Sequence, residues 1–318
     1  MRSTRTTVAG VRAVSRSHGR GWTAARVAAA LSIVAGVLAL ATALTGLLWT
    51  TGDGGGVVTT VWGERVVLHG QGLYRHDSVF VAGSNLGSDS VTLLLGLPLH
   101  VVAVAWSRSG SRRGQLLRVG VLGYLLYYGT GCALGAVAYN ELFLLYVALF
   151  SASLFAVVTT VASIDPAPLT DLPGRARRWI GGFMIASGGI TLVIWLMDPI
   201  DALISGTAPA TLGTHTTLFT NALDLAVIVP AAGAAGVLIL RSRPYGEIIA
   251  ASLLVLEALL LPLIVVTTII QLRLGLSFTP AEIAGPIGGF LVLGVLAVAV
   301  LHTLLRHASG VVVGGGGR

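Results

Sequence analysis

Residues 248–270 read IIAASLLVLEALLLPLIVVTTII. Across this run the only ionisable side chain is Glu257 and the only helix breaker is Pro262. A helix rises about 1.5 Å per residue, so the run covers the roughly 30 Å hydrocarbon core of a bilayer. Outward from it, comparable stretches lie near 27–49, 90–106, 119–137, 141–162, 179–197, 217–240 and 283–304. The one at 90–106 is the shortest; it begins after Asp89 and carries Pro98 and His100. The expected fold class is all-α, a polytopic transmembrane helix bundle of about eight spans.

Composition agrees. Of 318 residues, 54% are hydrophobic and 10% charged, against roughly 25% charged in an ordinary soluble domain. All 20 basic residues are arginine, which removes lysine Schiff-base and lysine-nucleophile chemistry. The single cysteine, Cys132, excludes an intrachain disulfide and a cysteine-cluster metal site; in its apolar run it reads as a small buried hydrophobe. The basic balance reports membrane threading, and no nucleic-acid partner is expected. With eight spans, 17 arginines fall on one side, and only Arg65, Arg75 and Arg273 on the other. The positive-inside rule then puts both termini in the cytoplasm of a cell-membrane protein.

Residues 1–26 are expected to be a disordered basic cytoplasmic tail resting on anionic lipid headgroups. Residues 27–304 form the membrane bundle, and 305–318 a flexible cytoplasmic tail. Gly314 to Gly317 lack the strand and helix that a phosphate loop needs. Ala41-Thr42-Ala43 offers a cleavage pattern, but the apolar run before Trp49 is longer than a signal-peptide core, so an uncleaved anchor is expected.

Small residues recur four apart at Gly131/Gly135, Ala232/Gly236 and Gly285/Gly289, a spacing that lets helices in lipid approach closely. The short connection 138–140 predicts a tight antiparallel hairpin. Tyr124, Tyr127 and Tyr128, with Tyr139 and Tyr146, are candidates for a polar seam or for packing with satisfied hydroxyls. The proline-bearing segment 163–178 divides four spans from four, although no residue-level similarity between the halves is evident.

The external segment 50–89 is expected to be a small cap between spans one and two. Val57 to Trp62 and Arg65 to His69, flanking Gly63-Glu64, predict a β-hairpin with a type II′ turn. Asp77 to Leu86 predicts a short helix capped by Asp77 at the outer membrane face. So small a cap must lean on the helix ends. His69, His76, Asp77 and Asp89 fall in it. Their side chains suit zinc ligation or acid–base chemistry, but the spacing matches no metal motif and a solvated lid is the default.

The sharpest functional signal is Asp224 in span six and Glu257 in span seven. A carboxylate near mid-bilayer costs about 2.5–3.5 kcal/mol on insertion scales. No arginine is available at that depth, so each is expected to be protonated, hydrated or bound to a cation. Asn221 shares a helical face with Asp224, and His215 stands before span six at the mouth of such a pocket. Pro230, Pro262 and Pro286 free carbonyls in the same helices. The bland alternative is that the acids only hydrogen-bond neighbouring helices. His100 and His302 read as packing residues. No H-E-x-x-H, G-x-S-x-G or phosphate-binding motif occurs.

The expected function is passage or sensing of a small solute, proton or cation, with lipids as the surroundings and no cofactor. The alternatives are an enzyme acting on a lipid-linked substrate at the outer face, or a non-catalytic assembly subunit.

Overall fold

The computed structural model describes residues 7–165, 171–209, 211–243 and 245–308, with side chains from residue 24 onward. Pro166, Pro168 and the glycine run 314–317 lie outside them. Among the described residues, seven helical stretches are long and apolar enough to cross a membrane: Ala24–Leu48, Val79–Arg108, Phe143–Ser163, Gly174–Ser205, Phe219–Leu240, Gly246–Arg273 and Pro280–His307. The chain is an all-α polytopic bundle, and the only sheet among these residues is two-stranded.

Helix α1 runs Thr7–Leu48. Residues 7–26, whose composition predicts disorder, are helical and continuous with the span. They contain no proline, and each residue added to an existing helix gains a hydrogen bond without a new nucleation cost. The membrane part of α1 packs on α5, Phe143–Ser163.

The second span differs most from expectation. Helix α2, Val79–Val91, continues through a wide π-helical turn, Thr92–Gly96, into α3, Leu97–Arg108. The short helix expected in the cap is therefore the start of the membrane span. Its N-cap is Ser78, whose side chain accepts from the Val81 N–H at 3.2 Å, not Asp77. The wide turn has a local cause. Pro98 cannot donate a backbone hydrogen bond, and its ring crowds the preceding turn; one residue earlier, Leu97 N–H reaches back five residues to the Thr92 carbonyl.

The same device recurs in span six. There α7, Phe219–Leu223, passes through a π-turn at Asp224–Ile228 into α8, Val229–Leu240, and Val229 N–H donates to the Asp224 carbonyl ahead of Pro230. A third π-turn, Ile283–Ile287, contains Pro286 between α10, Pro280–Glu282, and α11, Gly288–His307.

Helix α4 spans Arg112–Leu134. It starts earlier than the apolar run because Ser111 caps it, accepting from Gly114 N–H at 3.3 Å, and because its arginines find partners. Arg118 donates to Ser32 Oγ at 2.8 Å. Arg113 donates to the Ala308 carbonyl at 3.1 Å, closing the end of α11. Asp171 N–H also reaches the His307 carbonyl. The starts of α4 and α6 (Gly174–Ser205) and the end of α11 thus share one end of the bundle; the cap occupies the other.

Arginines, glycines and tyrosines keep α4 out of the apolar seven, yet it lies at the centre. It packs on α3, on α5 and on α9, Gly246–Arg273, and both large apolar clusters include α4 and α9 residues. Gly120 permits a close approach to α9; a Cβ there would come within 2.8 Å of the Ala251 carbonyl oxygen. The chain between α4 and α5 is longer than 138–140, since α4 ends at Leu134 and α5 begins at Phe143, but the two helices do pack together.

Of the three small-residue pairs, Ala232/Gly236 forms a helix contact. A Cβ on Gly236 would lie 2.7 Å from the Gly181 carbonyl oxygen of α6, and one on Gly188 would lie 3.1 Å from the Ala232 methyl. In the other two pairs one member is open, Gly131 and Gly285, while Gly135 meets the Phe219 ring of α7 and Gly289 meets Ile194 of α6. A pair not singled out, Gly83 and Gly87, sets α2 against Gln271 and Thr267 of α9. There Gln271 Nε2 donates to the Phe80 carbonyl at 3.0 Å and to Ser84 Oγ at 3.1 Å.

The cap retains its hairpin. β1, Val57–Thr59, pairs antiparallel with β2, Arg65–Val67, with Val58 opposite Val66. The turn is longer than the Gly63-Glu64 dipeptide. Thr60 N–H bonds to the Glu64 carbonyl, Gly63 N–H returns to the Thr60 carbonyl, and Gly63 is left-handed at φ +82. A three-residue loop ending in a left-handed glycine preserves strand twist as a two-residue primed turn would. The cap leans on helix ends through Leu73, Tyr74 and Ala82, packed with Trp49, Leu86 and Leu142.

Candidate functional site

Asp224 opens the π-turn of span six and is buried. The Tyr127 hydroxyl of α4 and the Trp195 indole of α6 face its carboxylate. Asp224 Oδ1 and Trp195 Nε1 are nevertheless both buried without a hydrogen bond of normal geometry. Asn221, on the same face, is held elsewhere: its Nδ2 donates to the Trp195 carbonyl at 3.1 Å. Asn221 therefore orients the α6 turn that presents the indole. The Trp195 ring also rests on Phe290 of α11, with centroids 5.7 Å apart.

Glu257 of α9 faces Ser187 of α6, and its Oε2 is likewise unpartnered. Ser187 and Trp195 are eight residues apart on α6, which places the two acids about 12 Å apart along that helix. Neither is a partner of the other. His215 lies at the cap end, half-buried against the carbonyls of Gly135 and Leu212. Burial holds its imidazole below the usual value, and the carbonyls oppose that shift. Asp224 is not among its contacts.

Of the four cap candidates, His69 and Asp77 meet through the backbone alone. His76 is exposed. His69 is half-buried and lowered by that burial, and its N–H donates to the Asp77 carbonyl at 2.8 Å. Asp77 accepts from Asn85 Nδ2 at 3.1 Å. Asp89 is inside the second span, 1% exposed. Among the described residues, no group of three or more His, Cys, Asp or Glu side chains could hold a metal ion.

Burial pushes the Asp77 carboxyl up from 3.8 to about 6, against the opposing pull of Asn85. Docking of the cap root thus favours the protonated acid. Its contribution is complete below the free-carboxylate value of 3.8 and is lost as pH rises to about 6; a two-unit shift corresponds to about 3 kcal/mol. Amide-exchange protection of residues 65–77 is expected to fall across that window, and Asp77→Asn is expected to flatten the fall.

The densest polar cluster surrounds Asp89. Tyr74 of the cap donates to its Oδ2 at 2.6 Å, and Tyr128 of α4 donates to its Oδ1 at 2.5 Å. Beside them Tyr124 and Thr92 share a hydrogen bond of 2.8 Å. Cys132 lies one turn beyond Tyr128, and Tyr146 of α5 completes the ring. Tyr139 is 81% exposed and takes no part.

Helix α4 thus presents neighbouring tyrosines to two carboxylates on different spans, Tyr127 to Asp224 and Tyr128 to Asp89. In the sequence the tyrosines and Asp89 are separate signals, and nothing local announces their meeting, because Asp89 reads as a span boundary.

No protein-family model, curated protein or solved structure matches the chain.

Proposed function

We propose that this multi-pass membrane protein passes protons or a small cation across the cell membrane, through a site built on Asp224 and Glu257. Asn221 positions the Trp195 turn, and His215 stands toward the cap end. The observation that carries the reading is that both carboxylates lie within spans, each with an unpartnered oxygen and no basic side chain among its contacts. In lipid an uncompensated carboxylate is costly, so occupancy by a proton or a cation becomes part of its normal state. The π-turn at Asp224 supports the same reading, since such turns recur at functional sites. The arginine bias supports a threading with both termini cytoplasmic.

An outer-face enzyme draws no comparable support, because His69 and Asp77 meet only through a backbone hydrogen bond and the carboxylates of Asp77 and Asp89 bond to different side chains.

Proteoliposomes holding a trapped pH dye provide the test. Under an imposed pH gradient, with and without small monovalent cations, wild-type protein is expected to dissipate the gradient faster than protein-free vesicles do. Asp224→Asn and Glu257→Gln are each expected to return the rate to the protein-free level. Wild-type flux equal to that of empty vesicles, or an Asp224→Asn variant as fast as wild type, would overturn the proposal.

A further inference from the structure

We propose that Asp89 is a third proton-binding carboxylate, reached from the cap end of the bundle and sealed by Tyr74 of the cap. The proposal rests on the reading that carboxylates within the spans handle protons, and adds a site and a gate to it.

Three observations converge. Both Asp89 oxygens are engaged by phenol hydroxyls, and the residue is buried. The donors sit on different elements: Tyr128 belongs to the central helix α4, whereas Tyr74 belongs to a turn of the cap. That turn is closed by Asp77 N–H on the Tyr74 carbonyl at 3.0 Å and Gly70 N–H on the Arg75 carbonyl at 2.9 Å. The next residue, Arg75, leaves the cap and pairs with Glu141 in the connection between α4 and α5. Two adjacent residues therefore fasten the cap at two levels, Tyr74 inside and Arg75 outside. The outer pair lies at the surface, where solvent screens it, so that contact alone holds the cap only weakly.

The groups facing Asp89 are Tyr74 from the cap, Tyr124, Tyr128 and Cys132 from α4, and Tyr146 from α5. Helix α1 contributes Gly46, and α9 meets α2 at Gly87 through Thr267. None of these is basic. The ligand that fits is a proton, because two hydroxyl donors already occupy the carboxylate, and a metal would need further ligands. When Tyr74 withdraws, Oδ2 loses its donor and meets water; a hydronium ion transfers its proton there, leaving a water molecule and the neutral acid. The proton is released by the reverse step.

The test is infrared difference spectroscopy of membrane-reconstituted protein between acidic and alkaline buffer, read at the carbonyl stretch of protonated carboxylic acids. Asp89→Asn is expected to lose one band, and Tyr74→Phe, which keeps the ring, is expected to shift that band. An Asp89→Asn spectrum identical to wild type would overturn the proposal. Should that variant fail to fold, an unshifted band in Tyr74→Phe would do the same.

Half-buried Cys132 reports the gate. Glu141→Gln is expected to raise its modification by a water-soluble thiol reagent several-fold, with Cys132→Ala as the blank. An unchanged rate would remove the cap as the seal. Neither readout needs flux, so intact bands without transport would sink the transport reading alone.

Discussion

Replacing Gly46 with leucine is expected to unseat the cap and destabilise the protein by about 3 kcal/mol or more. Gly46 lies on α1 where the Asp89 carboxylate and the Tyr74 hydroxyl come together. A Cβ there would overlap the carboxylate and sit 2.8 Å from the tyrosine oxygen. The helix backbone cannot retreat, because the same face of α1 is buried at Ala35, Ala39, Thr42 and Ala43. The carboxylate must therefore move and lose at least one of its phenol donors. A buried acid that loses a charge-assisted hydrogen bond costs a further 1–3 kcal/mol or so. Thermal unfolding in detergent and amide exchange across residues 65–77 should both register the change, with Gly46→Ala intermediate. Wild-type stability and protection in Gly46→Leu would show that the carboxylate does not sit against α1.

The second large effect is expected at the seam between α6 and α8. Gly181 and Gly188 of α6 meet Gly236 and Ala232 of α8 with backbone nearly touching backbone. In lipid no hydrophobic drive holds helices together, so this close packing supplies much of the contact. Gly236→Leu has no free volume to enter, since Ile185 Cγ1 stands 2.6 Å from the added Cβ and the Gly181 oxygen 2.7 Å. The expected cost is about 3 kcal/mol or more. Flux should fall with it, because Trp195 rides on α6 and Asp224 on the π-turn that leads into α8. Gly131→Leu and Gly233→Leu are the controls, as neither has a neighbour within 4 Å. They should unfold at the wild-type temperature, while Gly236→Leu should unfold earlier or elute as aggregate. Equal behaviour of all three would refute the seam.

Much of the bundle was legible because crossing a bilayer demands a long apolar run, which is a local property of the chain. Spans such as 143–163 and 246–273 follow directly from that demand. The second span was legible only in part. Asp89 reads as a polar boundary, yet its compensation comes from Tyr74 and Tyr128, one before the helix and one in another span. Such neutralisation is a tertiary fact with no local trace.

The same limit applies to α4, whose Arg118 is satisfied by Ser32 on α1, and to the acids. Asp224 and Glu257 stood out by residue type and depth, but Trp195, Tyr127 and Ser187, which face them, are common residues until the helices assemble. Four-residue spacing of small residues marks the backbone-to-backbone seam at Gly236, whereas Gly135 and Gly289 meet only side chains of other helices, and Gly83 and Gly87 lie in a stretch that reads as cap. The hairpin loop differs from the Gly63-Glu64 expectation because Thr60 and Glu64 bond across it as a further pair, leaving Val61, Trp62 and Gly63 between them.

The polarity of α4 has a consequence for biogenesis. Leaving the ribosome, this helix has too little oil-like surface to partition readily on its own, and its final partner α9 is not yet synthesised. In the interval it must shelter against α3 and α5 or be retained by the insertion machinery. Chains that stop short of α9 would leave the middle of the molecule open to quality-control proteolysis.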